Sequence, residues 1–207
     1  MKIKVTPSKV HGNVKIPASK SMAHRALICA SLSDGTSLVS NVTNSKDIEA
    51  TVGCMKALGA IIKQIDETTY EVTGTNLFKQ EGNITCNANE SGSTLRFLIP
   101  LAACTNAKVK FLGQGRLLQR PMDVYANEFK KQNIEFNQSD KEIIVSGNLQ
   151  AKDYVVQGDI SSQFITGFMF VLPLLNQDST LTITEPYESK SYVNPVSYTH
   201  LTLPTIA

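Results

Sequence analysis

The sequence predicts an α/β (α+β) protein made of repeated β-α-β-α-β-β units, and three observations carry that prediction. A short alternating strand, a small polar turn and an apolar helix follow one another three times. The turns, at Ser21, Gly92 and Ser162, lie about 70 residues apart. Each is followed by a second strand and a second polar helix start. The period is longer than that of solenoid repeats, yet the physics is similar. One unit cannot bury its apolar face alone and must pack on its siblings.

The first unit opens on an extended run (Val14, Ile16) that stops at Pro17, where Ser19 is placed to cap a helix carrying Lys20 and Ser21 in its first turn. A strand over Ser37–Val42, a polar start at Ser45-Lys46-Asp47 and a helix over Ile48–Leu58 follow. A hairpin, Ile61–Ile65 with Tyr70–Thr73, ends at Gly74. The second unit repeats this plan. Ile84 and Cys86 lead through Asn89–Thr94 into the helix at Leu95–Ile99, then come a strand (Lys108–Leu112) and the start Gln119-Arg120-Pro121. A helix over Asp123–Lys131 and a hairpin, Ile134–Asn137 with Glu142–Val145, close it at Gly147. In the third unit Tyr154 and Val156 lead through Gly158–Gln163 into an apolar helix, then a strand over Thr180–Thr184 and the start Ser189-Lys190-Ser191.

Composition narrows the function. With 20 basic and 18 acidic residues, no global field draws the chain to nucleic acid or an anionic membrane. No apolar run approaches about 18 residues, and Met1–Thr6 lacks the apolar core of a signal peptide. Cys29, Cys54, Cys86 and Cys104 sit among apolar neighbours without a CxxC pair, which reads as buried reduced thiols of a cytosolic protein. No ligand cluster calls for a metal or an organic cofactor.

The helix starts carry the chemistry. Arg25 follows Ser21 by four residues and Arg96 follows Gly92 by four, so each guanidinium stands one turn along from its polar start. A single helix N-terminus offers an anion roughly 0.3–1 kcal/mol, too little for specificity. Pseudo-threefold packing would gather several such starts on one side, where Lys20, Arg25, Arg96, Arg120 and Lys190 would hold a multiply charged metabolite. Arg96 also fits a helix brace, His24 reads as structural, and Asp47 and Asp123 read as first-turn acids favoured by the helix dipole.

Five motifs, in order, resemble the 3-phosphoshikimate 1-carboxyvinyltransferase (EPSP synthase) family. They are Pro17-Ala18-Ser19-Lys20-Ser21 with Arg25, Ser91–Arg96, Gln119-Arg120-Pro121-Met122, Gly158–Phe164 and Ser189-Lys190-Ser191-Tyr192. The resemblance implies an inverse α/β barrel-like domain, one of two, each of three such units. It implies transfer of the enolpyruvyl group of phosphoenolpyruvate to the 5-hydroxyl of shikimate 3-phosphate, with release of phosphate, on the route to chorismate and the aromatic amino acids. It assigns Ser21, Arg25, Ser161, Ser162, Ser189 and Tyr192 to shikimate 3-phosphate, Gly92 and Arg120 to phosphoenolpyruvate, and Lys20 and Gln163 to both, with Lys20 catalytic. Gly92 also fits a bare turn, and Ser189 and Tyr192 also fit ordinary cap and core residues. The implied protein is a cytoplasmic monomer without a cofactor, and its partners are those two small molecules.

On the same reading, residues 1–194 are an incomplete first domain with a truncated third unit, and residues 1–5 belong with a second domain. The segment Pro195–Ala207 resembles, from Val196, a translated sequencing adapter and is expected to be a non-native tail. Alone, such a chain is expected to be inactive, which keeps a non-catalytic anion or sugar-phosphate binding module as the alternative. The related UDP-N-acetylglucosamine enolpyruvyl transferase fits less well. It has Lys-Asn where this chain has Lys20-Ser21, and a cysteine in the loop matching Gly113–Leu118. A P-loop kinase is disfavoured by the absence of a GxxxxGK[ST] sequence.

Overall fold

The structure, a computed structural model, describes residues 3, 4, 6, 7, 9, 11–14, 16–187 and 190–196. In the first unit the Ser19 hydroxyl accepts from the Met22 N–H at 3.3 Å and starts helix α1 (Lys20–Leu32). Strand β1 (Thr36–Val39) leads to helix α2 (Lys46–Ala57), whose cap is the Ser45 hydroxyl accepting from Ile48 N–H. Strands β2 (Ile61–Gln64) and β3 (Tyr70–Thr73) complete an antiparallel sheet in the order β1-β3-β2. The strand expected to reach Val42 stops at Val39. Asn41 adopts a left-handed backbone with φ 58°, which turns Val42 into the core, where its N–H donates to the Thr68 carbonyl.

The second unit is β4 (Glu81–Asn87), α3 (Gly92–Ala102), β5 (Asn106–Leu112), α4 (Asp123–Lys131), β6 (Glu135–Gln138) and β7 (Ile143–Ser146). Its sheet runs β4-β5-β7-β6, parallel between β4 and β5 and antiparallel elsewhere. The third unit begins β8 (Asp153–Gln157), α5 (Ser162–Val171) and β9 (Thr180–Thr184), with β8 and β9 again parallel. Helix α6 (Lys190–Val196) follows. It includes the first two residues of the expected tail, since Val193 and Val196, three apart on one face, are both buried.

The leading strand predicted for the first unit is corrected. Val14 and Ile16 lie outside any described strand, each 85% exposed. In the other units the leading strand zips in parallel onto the strand after the helix. Here β1 pairs only with β3 among the described residues, so the extended run has no ladder and no cover.

Helix α3 is central, buried over most of its length and packed on α2 and α5. Pro100 lies inside it and lacks the N–H that would have bonded the Arg96 carbonyl one turn back. The Tyr125 hydroxyl, from α4, supplies the missing donor at 2.7 Å. Burial pushes the Tyr125 phenol well above its ordinary pKa, so it remains a donor. Tyr125→Phe is therefore expected to cost about 1–3 kcal/mol by leaving a buried carbonyl unpaired, measured by chemical denaturation. An unchanged unfolding midpoint would show that the carbonyl finds another partner.

Candidate anion-binding site

The first turn of α3 is the point on which separate helices converge. Its cap is Ser91, whose hydroxyl accepts from Thr94 N–H at 3.2 Å. Gly92 faces Arg120, on the approach to α4: a Cβ at Gly92 would lie 2.4 Å from the Arg120 Nη1. Only a residue without a side chain lets the guanidinium sit there. The Ser93 hydroxyl accepts from Gln163 Nε2 at 2.8 Å, at the start of α5. Thr94 Oγ1 donates to the backbone carbonyl of Asp47, in the first turn of α2, at 3.3 Å. Asp47 in turn holds the Lys20 ammonium, from the first turn of α1, at 2.5 Å. Lys20, Gly92, Arg120 and Gln163 are thus linked through one helical turn.

Beside it lies a cavity of about 300 Å³, lined by Ser21 and Arg25 of α1, Ser93 and Phe97 of α3, Ser161, Ser162 and Gln163 at the start of α5, and Tyr192 of α6. Arg25 is the notable group in it. Its side chain is buried (4% exposed), donates to the Ser21 carbonyl at 2.9 Å and to Thr166 Oγ1 at 3.3 Å, and lies 5.0 Å over the Phe97 ring. Its Nε is buried without a partner, and no carboxylate pairs with it among the described residues. Burial lowers the Arg25 pKa from its ordinary value, but a guanidinium starts so high that it stays charged. A buried charge without a counter-ion is costly, and an anion in the cavity is the natural remedy.

Six of the residues expected to contact shikimate 3-phosphate line this one cavity: Ser21, Arg25, Ser161, Ser162, Gln163 and Tyr192. Lys20 and Arg120 stand outside it, near the α3 turn, and Ser189 lies outside the described residues. Arg96 is a brace: its Nη1 donates to Gln163 Oε1 at 2.8 Å, and its guanidinium covers the Phe164 ring at 5.0 Å. Three residues went unassigned in the sequence: Ser93, Phe97 and Thr166. Asp47 is more than the first-turn acid expected of it. The signal that would have found it is that Lys20 and Asp47 open successive helices whose N-termini converge.

Next to the cavity, His24 is fully buried, and desolvation, the largest cause, lowers its pKa to about 4. The folded-state value lies below the ordinary 6.5, so the unfolded chain takes up a proton that the folded chain refuses. This group's contribution is complete above pH 6.5 and is lost as the pH falls toward 4. The denaturation midpoint should drop across that window, and a His24→Asn variant should lack this component.

Among the described residues no helix is long and apolar enough to cross a membrane, and no group of three His, Cys, Asp or Glu side chains stands ready for a metal. Cys54, Cys86 and Cys104 are buried free thiols, whereas Cys29 is partly exposed rather than buried as expected.

Helix N-termini, hydroxyls and the Arg25 guanidinium, gathered by repeated β-α-β-α-β-β units, place this chain in the α/β class with a polar, cation-bearing cavity suited to an anion. The family model for EPSP synthase (3-phosphoshikimate 1-carboxyvinyltransferase) matches residues 5–197. The chain belongs to the EPSP synthase family. It is 47% identical over 194 residues to the 3-phosphoshikimate 1-carboxyvinyltransferase of Clostridium kluyveri, covering 93% of this chain and 45% of that protein. To the protein of that name from Clostridioides difficile (strain 630) it is 45% identical over 217 residues, covering 99% of this chain and 48% of that one. The fold matches a solved EPSP synthase from Acinetobacter baumannii with a TM-score of 0.73 at 18% identity, over 88% of this chain and 42% of that one. The chain thus spans about half the length of the curated relatives it matches.

Proposed function

We propose that this protein serves the transfer of the enolpyruvyl group of phosphoenolpyruvate to the 5-hydroxyl of shikimate 3-phosphate, and that these residues supply the shikimate 3-phosphate pocket and one wall of the phosphoenolpyruvate site. In that reaction the 5-hydroxyl loses its proton as its oxygen bonds to C2 of the enol and C3 takes up a proton, giving a tetrahedral intermediate. The C2–O bond to phosphate then breaks and C3 loses a proton, so inorganic phosphate leaves and the double bond is restored. The observation that carries the proposal is Arg25, a buried guanidinium without a carboxylate partner among the described residues, facing a cavity rimmed by hydroxyls from three units. Such a guanidinium binds a phosphate through two donors, and the serines suit its remaining oxygens and the ring hydroxyls. Lys20, steered by Asp47, is a point charge placed to stabilise negative charge that develops on the departing phosphate. The curated relatives carry about as many residues again. The reading includes a monomeric, cytoplasmic protein, which the free thiols favour.

Calorimetry on the purified chain tests the proposal. Shikimate 3-phosphate should bind, and shikimate, which lacks the phosphate, should bind far more weakly. Equal affinities would reject the phosphate role of the cavity. On the other wall, Gly92→Ala would drive a methyl group into the Arg120 guanidinium. It is expected to weaken phosphoenolpyruvate binding by about 1.5 kcal/mol, the low end for a charge-assisted contact, because an exposed arginine can partly retreat. Unchanged phosphoenolpyruvate affinity would remove Arg120 from that site.

A further inference from the structure

We propose that His24 is a positioning residue for the anion site. Through Thr51 and Thr94 it holds the first turn of α3 and, with it, the Asp47–Lys20 pair. The inference rests on the reading of Lys20, Gly92 and Arg120 as the phosphoenolpyruvate wall. His24 itself touches neither that wall nor the cavity.

The geometry is a chain of buried polar groups. His24 Nδ1 lies 2.7 Å from Thr51 Oγ1, which lies 2.7 Å from Thr94 Oγ1. Thr94 Oγ1 lies 2.7 Å from the Ser91 hydroxyl and 3.3 Å from the Asp47 carbonyl oxygen. His24, Thr51, Thr94 and Ser91 are all at most 2% exposed, so water does not substitute for a lost partner. Around the imidazole stand the edge-on Phe97 ring, and the nearby charges are Asp47, Lys20 and Arg25.

Hydrogen-bond accounting gives the chain a direction. A hydroxyl has one proton, and the Asp47 carbonyl can only accept. With the Thr94 proton directed to Asp47 or Ser91, Thr51 must donate to Thr94. Thr51 then accepts from His24, so the imidazole carries its proton on Nδ1. The opposite direction would put the proton on Nε2, which is buried with no partner among the described residues. An unpaired buried donor is the costlier arrangement. Burial keeps the ring neutral at physiological pH, so one tautomer persists. Without His24, Thr51 and then Thr94 lose the bond that fixes their rotors, and the Ser91–Gly92 turn loses its support.

The test measures phosphoenolpyruvate and shikimate 3-phosphate binding by calorimetry on the 207-residue chain and on H24L, H24N and T51V, with NMR of the imidazole nitrogens and the backbone amides. Expected are a neutral imidazole protonated on Nδ1 and amide shifts at Ser91–Thr94 in H24L and T51V. Phosphoenolpyruvate affinity should fall about tenfold in both, the scale of one lost buried hydrogen bond, with a clearly smaller loss for shikimate 3-phosphate, whose cavity the turn reaches through Ser93. H24N keeps a donor near the Nδ1 position and should restore both readouts. An Nε2-protonated ring, an H24N as impaired as H24L, or equal losses for the two ligands would each overturn the proposal. If H24L does not fold, T51V, which is isosteric, decides. If the parent chain binds neither ligand, the proposed function fails. The Ser91–Thr94 amide shifts then still decide whether His24 positions the turn.

Discussion

Gly167→Ala is expected to destabilise the protein by about 3 kcal/mol, the upper end of the range for overpacking a core. Gly167 lies in α5 where that helix crosses α3. A Cβ there would come within 2.2 Å of the Tyr125 hydroxyl oxygen, 2.8 Å of the Arg96 carbonyl oxygen and 3.1 Å of Pro100 Cγ. The tyrosine cannot swing aside cheaply. It is fully buried against Phe129, Phe164 and Phe168, and its hydroxyl satisfies the carbonyl that Pro100 leaves open. The alternatives are to separate α3 from α5 or to break that hydrogen bond. An exposed helical glycine would show the opposite sign, since alanine there gains about 0.4–1 kcal/mol. Chemical denaturation gives the sign directly, and a neutral or stabilising result would refute the close packing. Because α3 and α5 also carry Ser93 and Gln163, binding should weaken together with stability.

Arg25→Ala is expected to weaken shikimate 3-phosphate binding by about 1.5–3 kcal/mol, or roughly 10- to 150-fold. Stability is not expected to fall in proportion. The guanidinium is buried with no carboxylate paired to it among the described residues, so its removal relieves a desolvation cost while losing the contacts to Ser21, Thr166 and Phe97. Arg25→Lys should recover only part of the affinity. An ammonium cannot span the Ser21 carbonyl and Thr166 hydroxyl as a planar fork while stacking on a ring. Calorimetry paired with a denaturation curve separates the two effects. Unchanged affinity would remove Arg25 from the site, and a stability loss as large as the affinity loss would make it a structural residue.

Much of the architecture was legible in the chain because its causes are local. Ser19, Ser45, Ser91 and Ser161 cap helices with their own side chains, and the helix over Asp123–Lys131 and the strand over Thr180–Thr184 have the bounds that periodicity predicts. The internal repeat further implied that several helix starts would face one place. The pairs that shape the site are a different matter. Lys20 meets Asp47 across 27 positions, Arg25 meets Thr166 across 141, and Ser93 meets Gln163 across 70. Nothing in a serine, a threonine or a first-turn aspartate marks it for a partner so far along the chain.

What the amino-acid sequence determined by itself was the repeated unit, the capped helix starts and the basic side chains those starts carry. Only the tertiary structure decided which of those side chains share a cavity, that Arg96 braces Gln163, that Tyr125 repairs the gap left by Pro100, and that Val14 and Ile16 have no ladder among the described residues. The physical reason is range. Capping and periodicity act within a few residues, whereas pairing, desolvation and close helix approach depend on how separate units pack.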